Sequence, residues 1–214
     1  MTDAYQFGYP QKCERCADLS ESGVELHVAP HYKPGSAPRV MLIGQDPTIY
    51  KKPERVSEVL MLNMPNGQLS RWLKELFGVE NFNKITLYAT NLVKCSFLTP
   101  PSTSAEGGLR FLAPFFNHCH EHLEKELLAF QPDCVLTLGE PTHKLFVTIL
   151  DHQGDIPETM KSAFCGEFYK ASLKQFVFDY SPCLHIKTFR VAEVYGESVQ
   201  KFKRGFSAYF INKK

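Results

Sequence analysis

Three groups of residues have types and spacings suited to chemistry. The first is Gly44-Gln45-Asp46-Pro47, a tight turn that sets a carboxylate among backbone N–H groups. Such a carboxylate can orient water or oppose a developing positive charge, and it can equally be an ordinary turn or cap residue. The second is Thr90-Asn91-Leu92-Val93-Lys94-Cys95, where a neutral amide stands just ahead of a thiol. That amide has donors on one atom and an acceptor on the other, so it can read a ligand edge or merely close a turn. The third is sulfur: Cys13-Glu14-Arg15-Cys16, Cys95 and Cys119 supply four soft ligands. In a chain without expected disulfides this pattern points to metal or redox chemistry, and zinc and an iron–sulfur cluster both fit four thiolates. In Asn117-His118-Cys119-His120-Glu121-His122, His118 and His122 fall on one helical face and read as a solvated polar face. Cys134, Cys165 and Cys183 lack comparable spacing and read as small buried residues.

The elements that must position these groups are legible from hydrophobic pattern. Arg39-Val40-Met41-Leu42-Ile43 follows a turn-rich stretch and ends at Gly44, as a buried strand does. Ile85-Thr86-Leu87-Tyr88-Ala89, Cys134-Val135-Leu136-Thr137-Leu138 and Gln175-Phe176-Val177-Phe178 have the same length and flavour. Between them lie helical periods. Pro114 suits a first turn, and Phe116, Cys119, Leu123, Leu127 and Phe130 then form one apolar stripe. Val199, Phe202, Phe206 and Phe210 form a second, in a terminal helix whose wet side carries Lys201, Lys203 and Arg204. Gln68 to Phe77 and Thr142 to Leu150 are shorter helices. Strands alternating with helices predict an α/β fold, a mostly parallel sheet flanked by helices, with the ligand site at the carboxyl ends of its strands. The loops after Ile43, Ala89, Leu138 and Phe178 are therefore the expected site.

Composition sets the outer bounds. A length of 214 residues suits one domain, 1–214, and 43% hydrophobic with 13% aromatic residues is too apolar for disorder. No run approaches the roughly 20 apolar residues of a membrane span, and the amino end lacks a secretory pattern, so a cytoplasmic setting with reduced cysteines is expected. With 24 Lys+Arg against 23 Asp+Glu the chain is no general polycation. Any nucleic acid must be held by a local basic face.

Taken together and in order, Cys13/Cys16, Gly44 to Pro47, Thr90-Asn91-Leu92-Val93-Lys94-Cys95, Cys119 and Leu138-Gly139 resemble the uracil-DNA glycosylase superfamily, with the cysteines pointing to its iron–sulfur branch. The Gly44-Gln45-Asp46-Pro47 turn is more similar to the cluster-free enzymes. The resemblance covers nearly the whole chain and implies a three-layer sandwich that removes uracil, or a related deaminated base, from DNA as a monomer without an obligate protein partner. It implies Asp46 in catalysis and Gln45 and Asn91 around the base; His185 is a catalytic candidate or a loop histidine, Tyr50 can cover the base, and Lys187, Phe189 and Arg190 can grip DNA or form an ordinary charged surface loop. Cys13, Cys16, Cys95 and Cys119 would hold a [4Fe–4S] cluster, with zinc as the alternative. The family's His-Pro motif corresponds to Ser181-Pro182, so His185 is the nearest imidazole; the usual stacking aromatic falls near Met61-Leu62, where none stands. The rival reading is a metal-stapled nucleic-acid or base-binding protein of the same fold without turnover.

Overall fold

The computed structural model describes residues 4–11, 13–16, 19, 28–47, 57–97, 101, 107–151, 155–185 and 192–212. Alternation within the apolar runs builds a sheet with two buried faces. Along β2 (Ser36–Gly44), Val40 and Leu42 enter one core while Met41 and Ile43 enter the other. Successive strand side chains point to opposite faces, so a run apolar at every position belongs in the middle of a layered fold. The strand before it is the short β1 (His31–Lys33). The others are β3 (Ile85–Asn91), β4 (Cys134–Leu138), β5 (Tyr169–Leu173) and β6 (Phe176–Cys183).

The strands lie in the order β1-β3-β2-β4-β6-β5. The inner four are parallel; β1 and β5 close the edges antiparallel. Helices α1 (Gln68–Phe77), α2 (Val79–Lys84) and α6 (Ala192–Asn212) cover one face with Trp72, Leu73, Phe77, Phe202 and Phe206. The long α3 (Gly108–Phe130) and α4 (Glu140–Val147) cover the other with Leu112, Phe116, Leu127 and Phe146. A short α5 (Met160–Ala163) precedes β5. The fold is thus the mixed α/β sandwich that the alternation predicts.

The chain leaves β2 toward α1 on one face and leaves β3 toward α3 on the other. A crevice must open between the carboxyl ends of two neighbouring parallel strands whose connections part in this way. Gly44 and Asn91 are paired across that gap.

Three expectations need correction. Pro114 is not in a first turn: α3 begins at Gly108, leaving the proline inside the helix on its exposed side. An interior proline costs about 3 kcal/mol, but starting early buries Leu112, worth roughly 1.5–3 kcal/mol, and packs Leu109 and Phe111 against the same core. The last core strand runs to Cys183 rather than ending at Phe178. Its final β5 pair is Tyr169↔Tyr180, so Pro182 lies where β6 bonds only to β4 and its missing donor is not needed on the other side. Cys134 and Cys183 are buried as expected, whereas Cys165 is half-buried with its Sγ 3.3 Å from Tyr169 Oη.

Candidate functional site

At the β2/β3 crevice the two loops are stitched together beyond the last strand pair. Leu92 donates its N–H to the Gly44 carbonyl at 2.8 Å and Val93 donates to the Gln45 carbonyl at 3.0 Å. This fixes the segments carrying Asp46 and Asn91 relative to one another. Asn91 is fully buried, yet neither its Nδ2 nor its Oδ1 has a hydrogen-bond partner among the described residues. An unmade bond costs roughly 1–3 kcal/mol per buried polar group, so this amide calls for a partner from outside the described residues.

Gly44 makes the approach possible. A Cβ at this position would collide with Asn91 Oδ1 and come within 2.6 Å of Leu60 Cδ2, so only glycine admits both side chains. Asp46, two residues on, is half-buried, and its Oδ1 accepts a 2.8 Å hydrogen bond from Gln45 Nε2. Leu60 was not singled out by sequence. It belongs to a single turn, Val59–Met61, with left-handed backbone at both Leu60 (φ 59) and Met61 (φ 52). Bulky residues adopt that region at a cost of order 1–3 kcal/mol each, and no local pattern announced the strain.

Farther along the same edge, the Gly139 N–H bonds to the Cys183 carbonyl at 2.8 Å. A Cβ at Gly139, where φ is 90, would lie 3.5 Å from that of His185, so the exposed His185 stands beside the β4 end. Ser181 is not on this edge but fully buried within β6, opposite Leu136. Tyr50, Lys187, Phe189 and Arg190 lie outside the described residues.

A second cluster lies behind Asn91. The Sγ atoms of Cys16, Cys95 and Cys119 are all within 4.8 Å of one another, joining the amino-terminal segment, the loop after β3 and α3. Thiol hydrogen bonds from Cys16 and Cys95, with the Lys94 N–H 3.5 Å away, hold the Cys119 thiol far below its ordinary range. Those same bonds and burial push Cys16 and Cys95 up. Three soft sulfur donors this close together fit a metal centre.

The expected fourth ligand, Cys13, stands outside this group with its Sγ 3.5 Å from His122 Nε2. His122 is therefore not on a purely solvated face; burial, followed by the nearby Arg15, holds its imidazole below the usual histidine value. The exposed Arg15 joins the Cys13–Cys16 segment to α3 through Glu121 at 2.8 Å and the His118 carbonyl at 3.3 Å.

The sequence matches the model of the Uracil DNA glycosylase superfamily over residues 30–192, a span that contains both the Gly44–Asn91 crevice and Cys95 and Cys119. The chain belongs to the uracil DNA glycosylase superfamily. Membership supports a glycosylase-type role acting on DNA, and the cysteine triad accords with the superfamily's iron–sulfur branch. No curated protein matches the sequence. Among the described residues no helix is long and apolar enough to cross a membrane.

Proposed function

We propose that this superfamily member hydrolyses the N-glycosidic bond of uracil, or of a related deaminated base, in DNA and leaves an abasic site. The observation that carries this reading is the buried Asn91 amide, unpartnered among the described residues, on a segment bonded to the turn that carries Asp46. A base stacked in a duplex is out of reach, so the nucleotide must be extruded into such a pocket. There the Asn91 Oδ1 accepts from uracil N3–H and its Nδ2 donates to O4. Cytosine reverses that pattern and would leave buried groups unpaired.

Bond cleavage develops positive charge on the sugar and negative charge on the departing base. The Asp46 carboxylate opposes the first and orients water; backbone N–H groups of the Gln45 turn, with His185 at the rim, face the second. Tyr50 would cover the base, and Lys187, Phe189 and Arg190 would grip phosphate and fill the vacated stack. Cys16, Cys95 and Cys119, with Cys13 as fourth ligand, would hold a [4Fe–4S] cluster whose job is to tie the amino-terminal segment to the Asn91 loop. The reading is of a cytoplasmic, single-domain monomer without an obligate protein partner.

Ser181 favours one other reading, a base-binding protein with little turnover. The position that would carry the family's histidine is a buried serine inside the sheet.

The test is incubation with single- and double-stranded oligonucleotides carrying uracil, hypoxanthine or xanthine, followed by alkali. Cleavage at uracil is expected; no cleavage with any base would leave the binding reading. Anaerobically purified protein should be coloured and contain iron, whereas colourless, zinc-replete protein overturns the cluster assignment.

A further inference from the structure

Behind the crevice lies a charged pair that takes no direct part in the proposed base reading or bond cleavage. The Lys94 ammonium is 2.6 Å from Glu126 Oε1, and the two side chains are only 3% and 0% exposed. Lys94 Nζ also donates to Thr90 Oγ1 at 2.7 Å and to the Asn91 carbonyl at 2.6 Å, so two hydrogen bonds and an ion pair hold it. Tyr88 Oη donates to the other Glu126 oxygen at 3.0 Å, and the Tyr9 ring lies 5.1 Å from the ammonium.

Burying two charges is expensive, and apolar side chains of similar size commonly stabilise a core as well, so stability is a weak reason for this pair. Its geometry supplies a stronger one. Each bond ends on the segment that carries the Asn91 amide or on the strand leading to it, and Glu126 anchors the ammonium to the helix that bears Cys119. We infer that Lys94 is a positioning residue: clamped by Glu126, it fixes the backbone of Asn91 so that the side-chain amide meets the base edge in one orientation. The inference rests on Asn91 being the group that selects the base.

Three proteins test it. In Lys94→Met/Glu126→Gln both charges go and Tyr88 keeps an acceptor. In Glu126→Gln the amide oxygen can still accept from Lys94, and the bonds to Thr90 and Asn91 remain. The double variant should fold and keep its metal content, yet lose ~100-fold in kcat/KM on uracil oligonucleotides, the size that a small misplacement costs, with its preference for uracil over cytosine narrowed. Glu126→Gln should be less stable but keep wild-type preference. Wild-type preference in the double variant, or equal loss in both, overturns the inference. Should the double variant not fold, Lys94→Met carries the same expectation, with Glu126 still accepting from Tyr88.

Hydrogen exchange separates this outcome from failure of the glycosylase reading. Leu92 and Val93 amides should exchange faster in the double variant while β2 and β4 do not. If wild-type protein excises nothing yet shows that change, the glycosylase reading falls and the positioning role stands. Unchanged exchange removes the positioning role.

Discussion

Asn91 and His143 are both fully buried polar side chains, and they are in opposite hydrogen-bonding states. His143 uses both ring nitrogens: Nδ1 is 2.7 Å from Tyr180 Oη, which is 2.7 Å from Thr137 Oγ1, and Nε2 is 2.9 Å from the Pro157 carbonyl. Asn91 uses neither amide atom on any described residue. A satisfied network specifies packing and needs nothing further, whereas an unsatisfied amide keeps its capacity for a ligand. Burial alone therefore does not mark a functional residue; Asn91 adds to it two open valences at the carboxyl end of a parallel strand, where a ligand is expected.

The largest expected effect tests the crevice half of this contrast. Asp46→Asn should lower kcat by ~10²–10⁴-fold, the range of a positioned acid or base, while leaving binding of a uracil oligonucleotide nearly intact. Rates equal to wild type would remove Asp46 from the chemistry. Next comes base choice: Asn91→Asp should cut selection of uracil and admit cytosine, a change of roughly 1–3 kcal/mol by analogy with bidentate base contacts. Competition between uracil and cytosine oligonucleotides measures it, and unchanged preference excludes Asn91 as reader.

Stability should show the reverse ranking. Tyr180→Phe strips the partner from His143 Nδ1 and Thr137 Oγ1, which should cost about 1–3 kcal/mol in urea unfolding without altering base choice. Asn91→Leu removes two atoms that bond to no described residue, so it should be neutral or mildly stabilising while activity is lost. If Asn91→Leu proved as damaging to stability as Tyr180→Phe, the amide would be structural and the contrast would fail.

How much of this was legible beforehand follows from the range of each interaction. β2, β3, β4 and both apolar helix stripes were visible because burial repeats at fixed local periods. Gln68–Phe77 was read to the residue for the same reason. β1 and β5 were not, being short edge strands of mixed burial, and the end of β6 was hidden by Asp179, Ser181 and Pro182. Of the candidate site, Asp46, Asn91 and the cysteines carry local motifs, and the structure brings Cys16, Cys95 and Cys119 together. Leu60 was missed because its role lies in a left-handed backbone and a contact with a distant glycine. Glu126 does carry a signal, a carboxylate three residues after Leu123 and one before Leu127 on a buried stripe; its meaning required knowing that Lys94 would face it.

The smallest expected effect is a pH slope from His143. Burial, only partly offset by the Pro157 carbonyl, holds its imidazole below the ordinary histidine value. Above about pH 6.5 the ring is neutral in both folded and unfolded chains and contributes no slope. As pH falls below that value the unfolded chain takes up a proton that the native ring refuses, so stability drops, and the loss stops growing once the lower native pKa is passed. His122, also held low, adds to any such slope in wild-type protein, so the comparison must be with a variant. Urea midpoints between pH 5 and 7 should fall less steeply for His143→Gln than for wild type, even though the variant starts from lower stability. Parallel slopes would mean that the ring is protonated in the native state. The Tyr180–His143–Pro157 chain would then have to donate from Nε2 and Nδ1 together, with the hydroxyl of Tyr180 turned toward Thr137.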